Sequence, residues 1–349
     1  MMAGDGLLVR VRPLLGRLSR AQAEGLCDAA LRHGNGHIDV TNRAALQIRG
    51  VRADEHDALM ERLVALGLAR RNGDMAAPLI VNPDWTPGDA TDSITSELIA
   101  RAGELPDMPG KIGFAVDAGP APVLTDAPAD FRIERGMNGG LILRGDGRER
   151  GVPMNVSEAV SEIIALAQWF IASGGAIAGR MARHDTPPPV TPSEAPAPPR
   201  SRADCLAAVP GRYHAAPFGR IEAEALLAAM DDETRAIRLT PWRGLIVEGS
   251  SARSDDPADP RIGVDACPGA PACPQASVVT RDLAARLAPH VGGLHISGCA
   301  KGCARPKQAA VVLTGRDGRF DLARNARAGG QPERTDLSPT QILALFGAE

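Results

Sequence analysis

A chain of 349 residues with a formal net charge of −3 has room for two or three cored domains and is too close to neutral for a general nucleic-acid binder. Its 44% apolar and 23% charged residues exclude a disordered or collagen-like chain. No signal-peptide pattern opens the sequence, so a cytoplasmic protein without a membrane partner is expected.

From the N-terminus, Gly6–Arg12 reads as a strand, followed by a turn through Gly16 and a helix from Ser19. Ser19 and Gln22 have the capping-box spacing, Leu18 and Ala23 that of a hydrophobic staple, and Gly34 supplies the stop. His37–Gly50 reads as a strand or pair of strands, and a helix over Ala53–Leu68 completes a β-α-β-α unit. After Asn82–Asp89 a helix is expected near Ser93–Ala102, then an apolar strand ending at Val116. Gly136–Gly140 has the composition of a hairpin turn and lacks the G-K-[ST] of a phosphate loop. The uncharged run Ile163–Gly179 is short for a membrane span and is interrupted by Gln168, Ser173 and two glycines. It reads as a buried helix starting near Ser157. The proline-dense stretch Thr186–Ser201 reads as an extended tether.

The pattern then returns. Gly211–Pro217, Phe218-Gly219-Arg220, a helix near Glu222–Met230 and a strand Ala236–Val247 repeat the first unit. Val264–Ala270 and a helix near Ser277–Leu287 match the segment from Asn82, and Pro306-Lys307 with the strand to Leu313 is matched to Pro109–Val116. Such a repeat predicts an α+β protein with pseudo-twofold symmetry.

Six cysteines in a cytosolic chain do not read as a disulfide framework. Cys27 falls in a helical pattern and reads as a core residue, and Cys205 borders the tether without an assignable role. The other four stand only in the second copy. Cys267-x5-Cys273 and Cys299-x3-Cys303 present thiolates from two loops rich in Pro and Gly, a soft donor set that suits an iron–sulfur cluster or zinc. Structural zinc usually shows C-x2-C knuckles, which both pairs lack; a cluster is favoured and zinc stays open. Lys301 and Arg305 place positive charge beside such a cluster.

The spacing C-x5-C followed by Ser-Gly-Cys-x-x-Gly-Cys-Ala-Arg-Pro, together with Thr41-Asn42-Arg43 running on to Gln47-Ile48-Arg49-Gly50, resembles the sirohaem-dependent sulfite and nitrite reductase superfamily. The resemblance implies a [4Fe–4S] cluster on Cys267, Cys273, Cys299 and Cys303, with Cys303 on the tetrapyrrole side and Arg43 in the pocket. It also implies a duplicated α+β architecture: two ferredoxin-like half-domains plus two cluster/sirohaem-type α/β half-domains. The implied divisions are 1–72 and 73–185 for the first copy, a linker at 186–206, and 207–255 and 256–349 for the second, cluster-binding copy.

Three departures point to one branch. Lys111-Ile112-Gly113 stands where the reductases carry a K-x-K pair, a loss expected to remove a charge and open space. Thr240-Pro241-Trp242-Arg243 and the Ala300-Lys301 pair of the cluster loop also differ from the reductases. Together they resemble precorrin-3B synthases of aerobic cobalamin biosynthesis. That branch implies a monooxygenase-type oxidoreductase acting on precorrin-3A with dioxygen, hydroxylating C20 and closing a γ-lactone. It implies an additional non-haem iron without recognisable ligands here, and a separate electron donor, since no flavin or nicotinamide fingerprint is present. Arg43, Lys111, Arg243, Lys301 and Arg305 are the candidate partners of the substrate carboxylates; no catalytic residue is assigned. Plain readings stand beside these: a solvent-face Arg43, a turn Lys111, a turn-capping Arg243, a packing Trp242, and structural His37 and His295. The alternatives are a sirohaem-binding sulfite or nitrite reductase and a zinc-stapled or cluster-bearing electron-transfer or scaffold subunit.

Overall fold

The computed structural model describes residues 2–69, 77–249 and 259–348; the boundaries expected at 72/73 and 255/256 lie outside the described residues. The first copy begins with strands β1 (Met2–Ala3), β2 (Gly6–Val11) and β3 (Arg17–Ser19), helix α1 (Arg20–His33), the hairpin β4 (His37–Val40) and β5 (Leu46–Val51), and α2 (His56–Ala65). The capping box forms as expected: Gln22 N donates to Ser19 Oγ at 3.2 Å and Ser19 N to Gln22 Oε1 at 2.9 Å. Helix α1 buries Leu26, Cys27 and Ala30, which makes Cys27 the core residue it was read to be. Then come β6 (Leu79–Val81), α3 (Ala90–Ala100), β7 (Phe114–Asp117), β8 (Phe131–Arg135), β9 (Leu141–Gly145), β10 (Val152–Met154), α4 (Ala159–Ala172) and the short α5 (Gly175–Ala178). Among the described residues no helix is long and apolar enough to cross a membrane.

The second copy follows α6 (Arg202–Ala208) with β11 (Gly211–Ala215), β12 (Arg220–Glu222), α7 (Ala223–Ala229) and the hairpin β13 (Ala236–Thr240) and β14 (Gly244–Glu248). It closes with β15 (Asp265–Ala266), α8 (Arg281–Leu287), β16 (Leu294–Ser297), β17 (Ala309–Arg316), β18 (Arg319–Ala326), β19 (Arg334–Leu337) and α9 (Pro339–Phe346). The stretch expected as a single strand over Ala236–Val247 is therefore a hairpin, with Thr240 facing Gly244. Both arms are apolar, so the pattern concealed the turn between them.

The two ferredoxin-like sheets run β1-β2-β5-β4-β12 and β11-β14-β13-β3. Each copy hands one short strand to the other: Ile221 of β12 pairs with Ile38 of β4, and Leu18 of β3 with Ile237 of β13. Neither sheet is complete alone, and both halves share one core that includes Leu26, Ile38, Ile237 and Val247.

The two α/β sheets have the same topology. Strands β6, β7 and β8 are parallel and β9 and β10 antiparallel; β15, β16 and β17 are parallel and β18 and β19 antiparallel. This corrects one sequence match. Pro109–Val116 leads into β7, whose counterpart is β16, whereas Pro306-Lys307 leads into β17. Consecutive apolar strands look alike, and the helix-to-strand order decides between them. The proline-dense stretch also differs from a free tether. It is extended but docked, bridging Glu194 to Gly151 and Pro196 to Gly136, with the buried Glu194 carboxylate accepting from Asn138 N at 2.7 Å.

Candidate functional site

In parallel sheets, ligands gather at the carboxyl ends of the strands, where loops are free to vary. Both cysteine loops arise there: Cys267 directly follows β15, and Cys299 and Cys303 follow β16. Cys267 is buried, Cys273 and Cys299 are half-buried, and Cys303 is exposed. The Gly298 N–H donates to Cys267 Sγ at 3.1 Å, and Thr280 Oγ1 holds the Cys267 carbonyl at 2.5 Å. Although Cys303 reaches solvent, crowding on its inner side pushes its thiol up; Lys301 pulls it down, and Cys299, Cys267 and Cys273 push it further. Cys303 thus lies within electrostatic reach of Lys301 and of the other three thiols. Among the described residues no three or more His, Cys, Asp or Glu side chains are arranged around a single metal ion. A four-iron cluster takes one thiolate per iron, so its ligands stand apart. Four soft donors on two adjacent loops, one already accepting a backbone N–H, fit such a cluster.

Beside these loops, Asp265 of β15 fixes two candidate arginines. Arg243 Nη1 donates to its Oδ1 at 2.6 Å and Arg305 Nη1 to its Oδ2 at 3.0 Å, while Arg243 Nη2 also donates to the Ala304 carbonyl. Two guanidiniums on one carboxylate leave a net positive charge. Both arginines line a cleft of about 560 Å³ with Asn42, Arg202, Trp242 and Lys307. Arg202 stacks over the Trp242 ring at 5.5 Å, and Lys307 pairs with Asp126 at 2.5 Å across the mouth. His295, paired with Asp265 in the β15–β16 register, is fully buried with neither ring nitrogen hydrogen-bonded. Burial pushes its pKa down to about 4, opposed by Asp265 and assisted by Arg305 and Arg243, so the ring is neutral. His37 pairs with Glu222 at 2.6 Å across the exchanged strands, a structural role.

Arg43 belongs to a separate basic group. Its Nη2 donates to the Lys111 carbonyl at 3.3 Å; Lys111 itself is exposed. Burial lowers the Arg43 pKa, and Arg180, Arg10 and Arg12 lower it further against the opposing charge of Asp130. Guanidiniums that destabilise one another in this way are relieved by an anionic ligand. The reading of single motifs missed Arg10, Arg12 and Arg180. The first two carried a signal, since residues two apart in the expected strand Gly6–Arg12 share a face, although β2 itself ends at Val11; Arg180 carried none. A second cleft, of about 590 Å³, opens beside Arg12 and Pro109-Gly110. Structure also corrects Gly113. A Cβ there would meet the Pro78 carbonyl oxygen at 2.9 Å and Pro78 Cβ at 3.2 Å, so loss of the second lysine opens no space; the position is closed by backbone.

The turn comparison separates Arg43 from Arg243. Thr41 N donates to Ala45 O, and Thr240 pairs with Gly244, which aligns Arg43 with Trp242 and Ala44 with Arg243. Ala44 and Arg243 share the left-handed conformation, with φ of 48° and 56°. The two arginines therefore leave their turns from different positions, Arg43 toward Lys111 and Arg243 toward Asp265. Lys301 is exposed on the cluster loop and does not line the cleft.

Comparison with known proteins agrees with this architecture. Residues 1–66 match the nitrite/sulfite reductase ferredoxin-like half domain. The Mycobacterium tuberculosis NirA protein shares the fold, with a TM-score of 0.61 and 18% identity over 96% of this chain and 78% of NirA. A precorrin-3B synthase from Sinorhizobium sp. is 30% identical across 95% of this chain and 82% of its own length. The chain belongs to the precorrin-3B synthase family, built on the duplicated fold of the sulfite and nitrite reductases.

Proposed function

We propose that this protein is a precorrin-3B synthase that hydroxylates precorrin-3A at C20 with dioxygen and closes the γ-lactone from the ring A acetate. The observation that carries this reading is the adjacency of the four cysteines to the cationic cleft of Arg243 and Arg305. The substrate is a polycarboxylate; each carboxylate taken by a guanidinium in a partly dry site contributes about 1.5–3 kcal/mol. Arg43, backed by Arg10, Arg12 and Arg180, Lys111 at the rim, and Arg243, Lys301 and Arg305 near the cysteines are the residues that hold and orient it. Asp265 keeps Arg243 and Arg305 in fixed rotamers, so that their free N–H groups are organised before binding.

Cys267, Cys273, Cys299 and Cys303 would hold a [4Fe–4S] cluster, which when bound supplies electrons to the site. In the overall reaction one oxygen atom becomes the C20 hydroxyl. The other leaves as water, with two electrons from a separate donor and two protons. The glycine at position 113 supports this reading over anion reduction, because it supplies no second charge to gather around a small oxyanion and a Cβ there would press on the Pro78 carbonyl oxygen. The test is incubation of anaerobically purified, reduced protein with precorrin-3A and ¹⁸O₂. One labelled oxygen in a hydroxylactone product is expected. Unchanged precorrin-3A, with sulfite or nitrite consumed instead, would overturn the proposal.

A further inference from the structure

The two hairpins carry a charge swap. Aligned through Thr41 and Thr240, Asp39 of β4 corresponds to Arg238 of β13, and Arg49 of β5 to Glu248 of β14. Each hairpin thus holds an acid–base pair of reversed sign: Arg49 Nη1 to Asp39 Oδ2 at 3.4 Å, and Arg238 Nε to Glu248 Oε1 at 2.7 Å. The exchanged strand brings a second arginine to each acid, Arg220 to Asp39 at 3.0 Å and Arg17 to Glu248 at 2.7 Å.

In both copies the hairpin arginine reaches past its acid to the other copy's α/β unit. Arg238 Nη1 donates to the carbonyls of Pro83 and Trp85, each at 2.6 Å, in the loop after β6 that contains no cysteine. Arg49 Nη2 donates to the Ala272 carbonyl at 3.0 Å, inside the Cys267–Cys273 loop and next to Cys273. Asp5 accepts from Arg49 Nε at 2.9 Å and from the same Nη2 at 2.8 Å. Gly4 N donates to the same Ala272 carbonyl at 3.1 Å, and a Cβ at Gly4 would overlap the Pro271 carbonyl oxygen. The Arg49 side chain is only 4% exposed, and a buried guanidinium with two carboxylate partners is costly to displace.

We propose that Arg49 is a positioning residue for the cluster, fixing the Cys267–Cys273 loop, and with it the Cys273 thiolate, from the sheet of the opposite copy. Arg238 is the same clamp on a loop that holds no metal ligand. The inference rests on the cluster reading given above, and its test separates the two. Iron and sulfide retention against a chelator, and the cluster midpoint potential, are measured on anaerobic holoprotein of wild type, R49Q, R49K, G4A and R238Q. R49Q is expected to lose its cluster roughly tenfold faster than wild type. Its potential should shift to more negative values, because a buried positive charge has gone. R49K should recover part of both effects. G4A should reproduce the faster loss by pushing on the loop without changing any charge. R238Q should melt lower yet keep the wild-type rate and potential. Equal behaviour of R49Q and R238Q in both cluster readouts would overturn the proposal, as would wild-type retention in R49Q and G4A. If R49Q does not fold, G4A against wild type decides. Wild-type protein that takes up no iron would overturn the cluster reading itself, and this proposal with it.

Discussion

After β6 the chain runs through Asn82-Pro83-Asp84-Trp85, and after β15 through Cys267-Pro268-Gly269. The strand ends are equivalent, but their chemistry is not. In the first unit, Asn82 and Asp84 are taken up by Arg200, at 3.4 and 2.5 Å. At the end of β7, Asp117 Oδ2 accepts from the N–H groups of Val123 and Leu124, both at 2.7 Å. The first unit thus spends its strand-end polar groups on closing its own loops. The second presents thiols there, and Cys267 receives the Gly298 N–H. A duplicated sheet keeps its topology because the core demands it, while the loops at its open end diverge from internal closure to a set of thiols.

The contrast is broken most severely at the thiols. Cys299→Ser or Cys303→Ala should abolish cluster incorporation and lower product formation at least about 100-fold, whereas Cys205→Ala should leave the visible cluster spectrum intact. Cys205 is fully buried near Asn82, and burial pushes its thiol up to about 12; it is inert packing in the first unit. Gly113→Lys addresses the missing K-x-K charge. Because Pro78 fills the space, the substitution should cost about 3 kcal/mol of stability, read as a lower melting temperature, with no gain of sulfite or nitrite reduction. Arg43→Met should raise KM for the tetrapyrrole about tenfold, roughly 1.4 kcal/mol, with kcat little changed. A fall in kcat with unchanged KM would remove Arg43 from substrate binding.

A pH-dependent effect concerns Asp117, whose burial raises its pKa to about 6. Raised above the unfolded value, it binds a proton more readily in the folded state. Its favourable contribution is complete below about pH 4 and is lost as the pH rises through 6. Asp117→Asn keeps an acceptor for Val123 and Leu124 and should be up to about 2 kcal/mol more stable than wild type at pH 8, an advantage that shrinks toward pH 4. A difference in melting temperature independent of pH would refute this account.

What could be read from the sequence follows from how local each signal is. The placement of the four cysteines on two loops was legible because their spacing is written in consecutive residues, as was the Ser19–Gln22 cap. The duplication was legible as repeated order. The exchange of β3 and β12 was not, since a three-residue strand carries no mark of its partner. The same holds for Asp265, an ordinary acid in sequence that becomes the anchor of Arg243 and Arg305 only when β15 lies beside the cleft. Arg43 and Arg243 are both candidate substrate partners in the sequence, and only the turn register shows that they leave their turns one residue apart. The pairing of β7 with β16 rather than β17 required the sheet order, which short apolar strands do not encode.

The central claim is that the second α/β unit carries an iron–sulfur cluster for a tetrapyrrole that visits as substrate. Metal, sulfide and tetrapyrrole analysis of protein purified without air tests it most directly. The account predicts about four sulfides with at least as many irons per chain, no zinc, and no resident sirohaem. Stoichiometric sirohaem, or zinc in place of iron and sulfide, would contradict it.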